Sequence, residues 1–388
     1  MAKGDVLSFL KTFSDESDTE DYRSANQVLI TEVVPTGSIA LDVALGCGGW
    51  PKGRITQVYG PTASGKTFLC LIGIKQAQKV DPDAQQIWID AEQTFNPKWA
   101  EEIGIDLSRL IIIDGEKAQN GRECFEILLG VPKEDAKTHA YVGKKQNGLF
   151  DEIASGSLNI NFVVLDSLGA IIPPIDDVAI VGKSSMAALP RFLSKELKRV
   201  SLDVRKANIP LLIINHVKSN MDPYSGGSDH TFSGGNSYAH FLSANVFVKP
   251  LTKKETQIFD EKENKMGHTV KAVIEKTKFG PWPRVAEFKF DFRSGIVDVH
   301  EELVAVALDK DVILKPTSKS YEFNNEKWVG MPDLLEGVKN NQELQLLLSF
   351  KIMENLKKKN VKVESEVQEE VETEEKRGPG RKKKNKEE

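Results

Sequence analysis

The chain has 388 residues, of which 40% are hydrophobic and 28% are charged, and its formal net charge is −5. This composition is typical of a globular protein with one large core and one or two smaller units. No apolar run reaches the roughly 20 residues that cross a bilayer, which excludes a membrane-spanning class. The three isolated cysteines match neither a zinc pattern nor a disulfide framework, so we expect an intracellular, cytoplasmic protein.

The N-terminal residues 1–33 are predicted to form a separate piece. Leu7, Leu10 and Phe13 recur at the spacing of one apolar stripe on a short helix. Such a helix cannot bury its face alone, so it should dock on its own core or on a neighbouring protomer.

Residues 34–305 follow an α/β pattern, in which short apolar runs alternate with helical segments. Near-continuous apolar strands of this kind indicate a mainly parallel sheet with helices on both faces. Two later runs, joined by a Gly-Pro-rich link, look like an antiparallel pair that extends the sheet. The predicted parallel strands are Ile55–Tyr59, Ile87–Asp90, Leu110–Asp114, Phe162–Asp166 and Leu211–Asn215, and the predicted pair is Val270–Glu275 with Ala286–Phe292.

The C-terminal part divides into a small mixed domain and a charged tail. Residues 306–360 end in the apolar-striped helical segment Asn341–Lys357. Residues 361–375 carry seven glutamates and one lysine, whereas residues 376–388 carry seven basic residues and two glutamates. A tail so charged and so poor in apolar residues is predicted to be disordered. Its basic end suits nonspecific binding to a polyphosphate.

The strongest signal is the segment GPTASGKT, a complete G-x-x-x-x-G-K-T motif between the strand Ile55–Tyr59 and the helical run Phe68–Gln78. Its glycines let backbone amides curl around phosphates, and the helix N-terminus adds partial positive charge. We expect Lys66 to reach the β- and γ-phosphates of ATP and Thr67 to ligate Mg²⁺. The predicted nucleotide-binding residues of this segment are Gly60, Pro61, Thr62, Ala63, Ser64, Gly65, Lys66, Thr67 and Phe68.

Three carboxylates stand at the ends of predicted strands. Asp166 ends an apolar strand in the form of a Walker B element, where it would hold Mg²⁺. Asp90 and Glu92 end another strand on one shared face, and Glu92 lies further toward the ligand edge. We assign Glu92 as the base that activates the attacking water. On spacing alone, Asp90 and Glu92 could instead cap the following helix.

Across residues 34–335 the chain resembles the RecA recombinases, and among them the phage UvsX type. The lead-in from Pro35 to Gly60, PTGSIALD…ALG…GWPKGRITQVYG, is similar to the family's approach to the phosphate loop almost residue by residue. The resemblance implies an α/β fold, with a RecA-type P-loop ATPase core and a mainly parallel central sheet. A short N-terminal helix and a small mixed C-terminal domain would complete it.

The segment EQTFNPKW is similar to the one that carries the family's catalytic glutamate and adenine contacts. The resemblance implies that Trp99 stacks on the base and that Asn96 faces its polar edge, where the family more often has Tyr and Asp. The strand Leu211–Asn215 resembles the one that ends in the γ-phosphate sensor, which here would be His216. Bacterial members usually have Gln there, whereas His is closer to the phage branch. A histidine at a strand end could also be purely structural.

The resemblance also implies two DNA-binding loops. The loop Val217–Asn236 mixes a cation, aromatic rings and glycines, which suits contact with phosphates and insertion between bases. The shorter loop Pro173–Ser185 precedes the base-step wedge Met186 and a helix with Arg191 and Lys198 on one face. Read alone, that helix face could simply be solvated. The implied DNA-binding residues are Met186, Arg191, Lys198, Lys218, Met221, Tyr224, Gly234 and Gly235.

Three further residues are implied to act across a protomer interface. Lys276 and Lys278 match a K-x-K pair that in this family reaches the neighbour's ATP, and both would lie on one face of a strand. Their charge would take the place of an arginine finger. Phe292 matches an aromatic residue that touches the same nucleotide from the neighbouring protomer.

These features predict a DNA-dependent ATPase that polymerises on single-stranded DNA, pairs it with homologous duplex DNA and exchanges strands in recombination, repair and recombination-dependent replication. ATP and Mg²⁺ would lie between protomers of a helical homo-oligomeric filament. Single-stranded-DNA-binding and mediator proteins are expected partners, in a bacterial host cytoplasm if the source is viral.

Two alternatives remain open. A ring-shaped translocase or helicase would normally carry an arginine finger and an extra N-terminal domain. A regulatory paralogue would bind ATP and coat DNA without exchanging strands, although Glu92 and the long glycine-ended loop argue against it. The polar insert around residues 132–156 has no assigned function.

Overall fold

The computed structural model describes residues 32–134, 141–174, 188–219, 230–232, 237–280 and 284–356. From Val33 onward, the described residues belong to one compact unit. The expected N-terminal helix and the charged tail lie outside the described residues. Within these ranges, no helix is both long and apolar enough to cross a membrane.

Strands alternate with helices through most of the core. The strands are β1 (Val33–Val34), β2 (Trp50–Pro51), β3 (Arg54–Gly60), β4 (Gln85–Asp90), β5 (Leu110–Ile113), β6 (Val131–Glu134), β7 (Tyr141–Gln146), β8 (Ile160–Asp166), β9 (Pro210–Ser219), β10 (His230–Phe232), β11 (Ala244–Pro250), β12 (Gln257–Phe259), β13 (Lys265–Thr277), β14 (Arg284–Asp291), β15 (Gly295–Val297), β16 (Ser320–Phe323) and β17 (Glu326–Val329). The helices are α1 (Ile39–Leu45), α2 (Lys66–Val80), α3 (Pro97–Glu102), α4 (Gly115–Gln119), α5 (Gly121–Leu129), α6 (Leu149–Ala154), α7 (Ala188–Ala207), α8 (Val299–Asp309) and α9 (Met331–Asn340), and residues 342–356 are also helical.

One large sheet runs through the molecule in the order β15-β14-β13-β11-β3-β9-β8-β4-β5. The strands from β11 to β5 are parallel to their neighbours, whereas β13, β14 and β15 pair antiparallel. This confirms the expected α/β fold with a mainly parallel sheet. Because parallel strands end at the same edge, the segments that follow β3, β4 and β8 converge there, which is where ligands bind in such sheets.

Helices cover both faces of the sheet, as the apolar character of its strands requires. On β8, Phe162 and Val164 pack on the face covered by α2, whereas Val163 and Leu165 pack on the face covered by α5 and α7. A strand buried on both faces has no polar alternation, which is why these runs read as continuously apolar in the sequence.

Two features of the sheet differ from the expectations. β11 was not among the predicted strands, yet it lies between β3 and β13 with Val246 and Val248 fully buried. β9 runs on to Ser219 and pairs antiparallel with β10, so a short ladder lies inside the loop expected to have no regular structure at Val217–Asn236. Strand formation depends on a pairing partner as much as on composition, and the partner is not visible in the sequence.

A further apolar cluster is formed by α8, β16, β17, α9 and the helical residues 342–356 together with Val43 of α1. Leu303, Val304 and Ala307 of α8 pack into this cluster. The domain boundary expected after residue 305 falls within α8, and the division into a core and a C-terminal domain stays a prediction. The polar insert around residues 132–156 forms the antiparallel pair β6–β7 and the helix α6.

Candidate active site

The loop with the G-x-x-x-x-G-K-T motif connects β3 to α2, and two of its glycines are required sterically. A Cβ atom at Gly60 would collide with the carbonyl oxygen of Val248 on β11. Gly65 has a φ of +93°, and a Cβ atom there would lie 2.6 Å from the ring of Phe290. Glycine alone tolerates both conditions. The loop therefore lies close against the sheet and brings the N-terminus of α2 to its carboxyl edge.

Lys66 opens α2 in a buried and negatively charged setting. Its Nζ donates to the carbonyl oxygen of Pro61 at 2.8 Å. Burial lowers the pKa of Lys66, and the charges of Asp166 and Glu92 oppose that shift. The buried hydroxyl of Ser64 has no hydrogen-bond partner among the described residues. An unmet buried donor costs about 1–3 kcal/mol, and a phosphate oxygen would satisfy it.

Thr67 and Asp166 fit a Mg²⁺ site. The Thr67 hydroxyl donates to Oδ2 of Asp166 at 3.2 Å. Burial, followed by the negative charge of Glu92, raises the pKa of Asp166 to about 7. A hydroxyl and a carboxylate in a negative environment are ligands that Mg²⁺ prefers. No cluster of three or more His, Cys, Asp or Glu in the described part of the chain could hold a metal alone, so the remaining ligands would be phosphate and water.

Glu92 lies just beyond β4 and is hydrogen-bonded to Ser167, which follows β8, and to His216 of β9. Its Oε1 accepts from the hydroxyl of Ser167 and lies 2.8 Å from Nε2 of His216. The hydrogen bond from His216 is the main cause that lowers the pKa of Glu92. The carboxylate is therefore ionised at neutral pH and can accept a proton, which is what a water-activating base requires.

Asp90 has a different role from Glu92. Its two carboxylate oxygens accept the backbone N–H groups of Thr94 at 3.2 Å and Phe95 at 2.8 Å. Thr94 and Phe95 precede α3, and Asn96 caps that helix. The alternative in which Asp90 and Glu92 cap the following helix therefore describes neither residue, since Oε1 of Glu92 is engaged by Ser167 and His216.

The other end of the same pocket is aromatic. The rings of Phe68 and Trp99 stack with centroids 5.4 Å apart, and Trp99 Nε1 donates to the carbonyl oxygen of Phe292 at 2.7 Å. Asn96 Oδ1 accepts from the backbone N–H of Trp99 at 3.1 Å and so caps α3. Phe292 therefore lines the cavity of its own chain, and its expected contact with a neighbour's nucleotide stays a prediction.

The loop and the aromatic residues enclose one cavity of about 420 Å³. This size is ordinary for a small-ligand site. The cavity is polar where the loop, Glu92 and His216 meet, and aromatic where α3 faces β13 and β14. Its lining residues are Thr62, Ala63, Ser64, Gly65, Lys66, Thr67, Phe68, Glu92, Thr94, Trp99, His216, His268, Phe290 and Phe292.

His268 lies on β13 and lines this cavity, although it was not among the residues expected from the sequence. It is 3% exposed, with its ring 5.6 Å from that of Phe292. Burial, followed by the charge of Lys265, lowers its pKa, so the imidazole is neutral at pH 7. Neither ring nitrogen has a partner among the described residues. The available signal was a lone histidine on the apolar face of β13.

Lys276 and Lys278 lie away from the cavity of their own chain. Lys276 is opposite Asn245 of β11, and Asn245 is opposite Gln57 of β3. Gln57 lies three residues before Gly60, so at about 3.3 Å per residue Lys276 is level with a point about 10 Å along the strands from the loop. Lys278 follows the last residue of β13, which corrects the expectation that both lysines belong to the strand. Burial, followed by the charge of Lys278, lowers the pKa of Lys276.

The expected DNA contacts are only partly described. Arg191 and Lys198 occupy exposed positions on α7. The backbone of Lys218 belongs to β9, opposite Thr231 of β10. The other expected contacts, Met186, Met221, Tyr224, Gly234 and Gly235, lie outside the described residues.

Comparison with known proteins agrees with this geometry. Residues 11–135 and 142–297 match the family described as the RecA N-terminal domain. The mitochondrial DNA repair protein recA homolog of Dictyostelium discoideum is 31% identical over 298 residues, which are 76% of this chain and 58% of that protein. Protein RecA of Porphyromonas gingivalis is 30% identical over 336 residues, which are 87% of this chain and 88% of that protein.

A solved structure, the crystal structure of the RadB recombinase, aligns with a TM-score of 0.46 and 24% identity, covering 68% of this chain and 98% of that one.

The glycine loop between β3 and α2, the carboxylates at the strand ends and the mainly parallel sheet define a P-loop nucleoside triphosphatase core. The matched residues make up most of the chain, and the chain belongs to the RecA family of recombinases. Members of this family are DNA-dependent ATPases.

Proposed function

We propose that this recombinase forms helical filaments on single-stranded DNA, hydrolyses ATP there, and pairs the bound strand with a homologous duplex in recombination, repair and recombination-dependent replication. The 2.8 Å contact between Glu92 and His216 carries the proposal. It joins the carboxylate best suited to activate water to the strand that leads into the loop Val217–Asn236. Loss of the γ-phosphate would therefore shift the residues at the start of that loop.

The pocket residues suggest a division of roles in hydrolysis. Bound ATP would supply the γ-phosphoryl group, with Thr67 and Asp166 holding Mg²⁺ at the phosphates. Lys66 would neutralise phosphate charge, and Glu92 would take a proton from the attacking water. His216 would hold Glu92 in place and respond to the γ-phosphate.

Lys276 and Lys278 act, in this proposal, on the nucleotide of a neighbouring protomer. Their position about 10 Å from the level of their own loop, outside its cavity, supports a neighbour's site as their target. Two adjacent ammonium groups would stabilise the charge that develops on the transferring phosphoryl group.

The phage UvsX-like branch and the DNA contacts belong to the same proposal. His216 at the sensor position is the feature that favours the phage branch, and a bacterial host cytoplasm would then be the location. Arg191 and Lys198 would contact the DNA backbone, together with Lys218 and the loop residues. Single-stranded-DNA-binding and mediator proteins would be its protein partners. The remaining proposed contacts are Met186, Met221, Tyr224, Gly234 and Gly235.

The proposed function is tested by ATP turnover with and without single-stranded DNA, combined with electron microscopy in the presence of an ATP analogue. We expect turnover to rise with DNA and helical filaments to form. Closed rings would favour a translocase or helicase. Equal turnover with and without DNA would remove the coupling that His216 is proposed to provide.

The trans role of the lysines is tested by mixing two inactive variants, Lys66→Ala and the double variant Lys276→Ala/Lys278→Ala. At half of the mixed junctions an intact loop meets intact lysines, so turnover should partly return. Each variant alone should stay inactive, with losses on the order of a thousandfold. Mixed filaments verified by microscopy but without any recovered turnover would exclude action in trans.

A further inference from the structure

A short 3₁₀ turn, Ser237–Phe241, follows the proposed DNA loop and is fastened to the central sheet by a buried tyrosine. Tyr238 is fully buried, and its hydroxyl donates to Oε1 of Gln57 on β3 at 2.7 Å. The same hydroxyl accepts from Nδ2 of Asn215 on β9 at 2.6 Å. Burial raises the pKa of Tyr238, so the hydroxyl keeps its proton at any physiological pH.

Asn215 links this tyrosine to the proposed γ-phosphate sensor. Its Oδ1 accepts the backbone N–H of His216 at 2.8 Å, while its Nδ2 serves Tyr238. His216 in turn contacts Glu92. Hydrogen bonds, joined through the covalent bonds of His216, therefore connect Glu92 to the turn that follows the DNA loop. This path does not pass through the loop itself.

The same turn has a second attachment, which comes from the lysine pair. Lys276 Nζ donates to the carbonyl oxygen of Ala239, the residue next to Tyr238, at 2.5 Å. If Lys276 moves to a neighbour's phosphate, as proposed above, it must release this carbonyl. The turn would thus respond to the nucleotide of its own protomer through Tyr238 and to that of a neighbour through Lys276.

The network also allows a second hydrogen-bonding arrangement. Gln57 Nε2 and Asn245 Oδ1 are both buried without a partner among the described residues. These two residues are opposite each other on the parallel strands β3 and β11, and Asn245 is also opposite Lys276. A buried unpaired donor and acceptor at one level of the sheet favour a second arrangement in which they meet.

We propose that Tyr238 is a positioning residue that couples the nucleotide state of its own protomer to DNA affinity, by holding the turn after the DNA loop against the sensor strand. The inference rests on the proposed function, because it requires DNA to bind the loop Val217–Asn236. It assigns no contact with ATP or DNA to Tyr238.

Tyr238→Phe tests this role, because it keeps the buried ring and removes only the hydroxyl. The measurement is the affinity for single-stranded DNA with a non-hydrolysable ATP analogue and with ADP, by fluorescence anisotropy on the full chain. We expect the ratio of the two dissociation constants to fall at least about fivefold, the lower end of ordinary coupling between sites. ATP affinity measured without DNA should stay within about twofold of the wild type, since no pocket residue changes.

Tyr321→Phe is the matched control, since Tyr321 is a buried tyrosine of the C-terminal cluster. It should leave the ratio unchanged. A Tyr238→Phe protein that is less stable but keeps the wild-type ratio would overturn the proposal and reduce Tyr238 to a core contact.

Gln57→Met provides the same test from the other side of the hydrogen bond, and it serves alone if Tyr238→Phe does not fold. Because both residues act through one network, the double variant Tyr238→Phe/Gln57→Met should lower the ratio of dissociation constants no further than the stronger single variant. Fully additive effects would contradict the shared network. Failure of the proposed function is distinguishable, because the wild type itself would then show no dependence of DNA affinity on nucleotide.

Discussion

The two ends of the nucleotide cavity are built in different ways. The phosphate end comes from one contiguous segment, Gly60–Thr67, and from residues at or near the carboxyl ends of parallel strands, which lie at one edge of the sheet. The aromatic end combines Trp99 of α3 with His268 and Phe292, which come from the antiparallel extension of the sheet. The first end is dense in charge and hydrogen bonds. The second end is apolar except for one neutral histidine.

This difference implies a division of labour. Charged groups that act on the reacting phosphate should control turnover, because electrostatic stabilisation is usually the largest contribution to catalysis. Rings that stack on the base should control the affinity for ATP and should not affect the rate of hydrolysis. Substitutions at the two ends should therefore separate turnover from binding.

The largest effect is expected for Glu92→Gln at the phosphate end. Gln cannot take a proton from water, so turnover should fall by roughly 10²–10⁴. ATP binding should persist, because Lys66 and the loop are intact. Single-turnover hydrolysis and binding of a fluorescent ATP analogue measure the two quantities separately.

Lys66→Ala is the comparison for Glu92→Gln, since it should impair both binding and turnover. Wild-type turnover by Glu92→Gln would assign the base to another residue.

The sequence predicts the residues of the phosphate end better than those of the aromatic end, for a physical reason. The loop, Glu92 and Asp166 are readable because a motif or a strand end marks each of them locally. The places of His268 and Phe292 in the cavity depend on how β13 pairs with β11 and β14, which no local pattern encodes. β11 was missed for the same reason, and the ladder between β9 and β10 likewise depends on a pairing partner.

The second prediction concerns stability at the phosphate end without nucleotide or Mg²⁺. The pKa of Asp166 is raised from 3.8 to about 7 in the folded protein, so the folded state holds a proton that the unfolded chain has lost. Stability from this group is therefore present below pH 4 and is lost as the pH rises toward 7.

Asp166→Asn removes the buried charge, so it should raise the free energy of unfolding at pH 8 by about 1–4 kcal/mol, at roughly 1.4 kcal/mol per pKa unit. It should have little effect at pH 4. Urea unfolding at both pH values checks this, and an equal effect at both would contradict the raised pKa.

The third prediction concerns Trp99 at the aromatic end. Stacking on a base is worth about 1–3 kcal/mol, so Trp99→Ala should weaken ATP binding by roughly 10- to 100-fold. Trp99→Phe keeps a ring but loses the hydrogen bond to Phe292, so its loss should be smaller. Turnover at saturating ATP should stay near the wild-type value for both. A large fall in saturated turnover would mean that the two ends do not divide binding from chemistry.

The smallest effect is expected for substitution of His268. It should stabilise the free protein and weaken the binding of ATP. A buried imidazole without a partner costs about 1–3 kcal/mol in the free protein. His268→Phe removes both unpaired nitrogens and keeps an aromatic ring, so the melting temperature without nucleotide should rise by a few degrees. If the imidazole hydrogen-bonds the sugar or base of bound ATP, the same variant should bind ATP several-fold more weakly.

His300→Phe on α8, whose histidine does not line the cavity, is the control and should change neither quantity. Calorimetry gives both values on the same samples, and a variant with unchanged ATP affinity would show that the nucleotide leaves His268 unpaired.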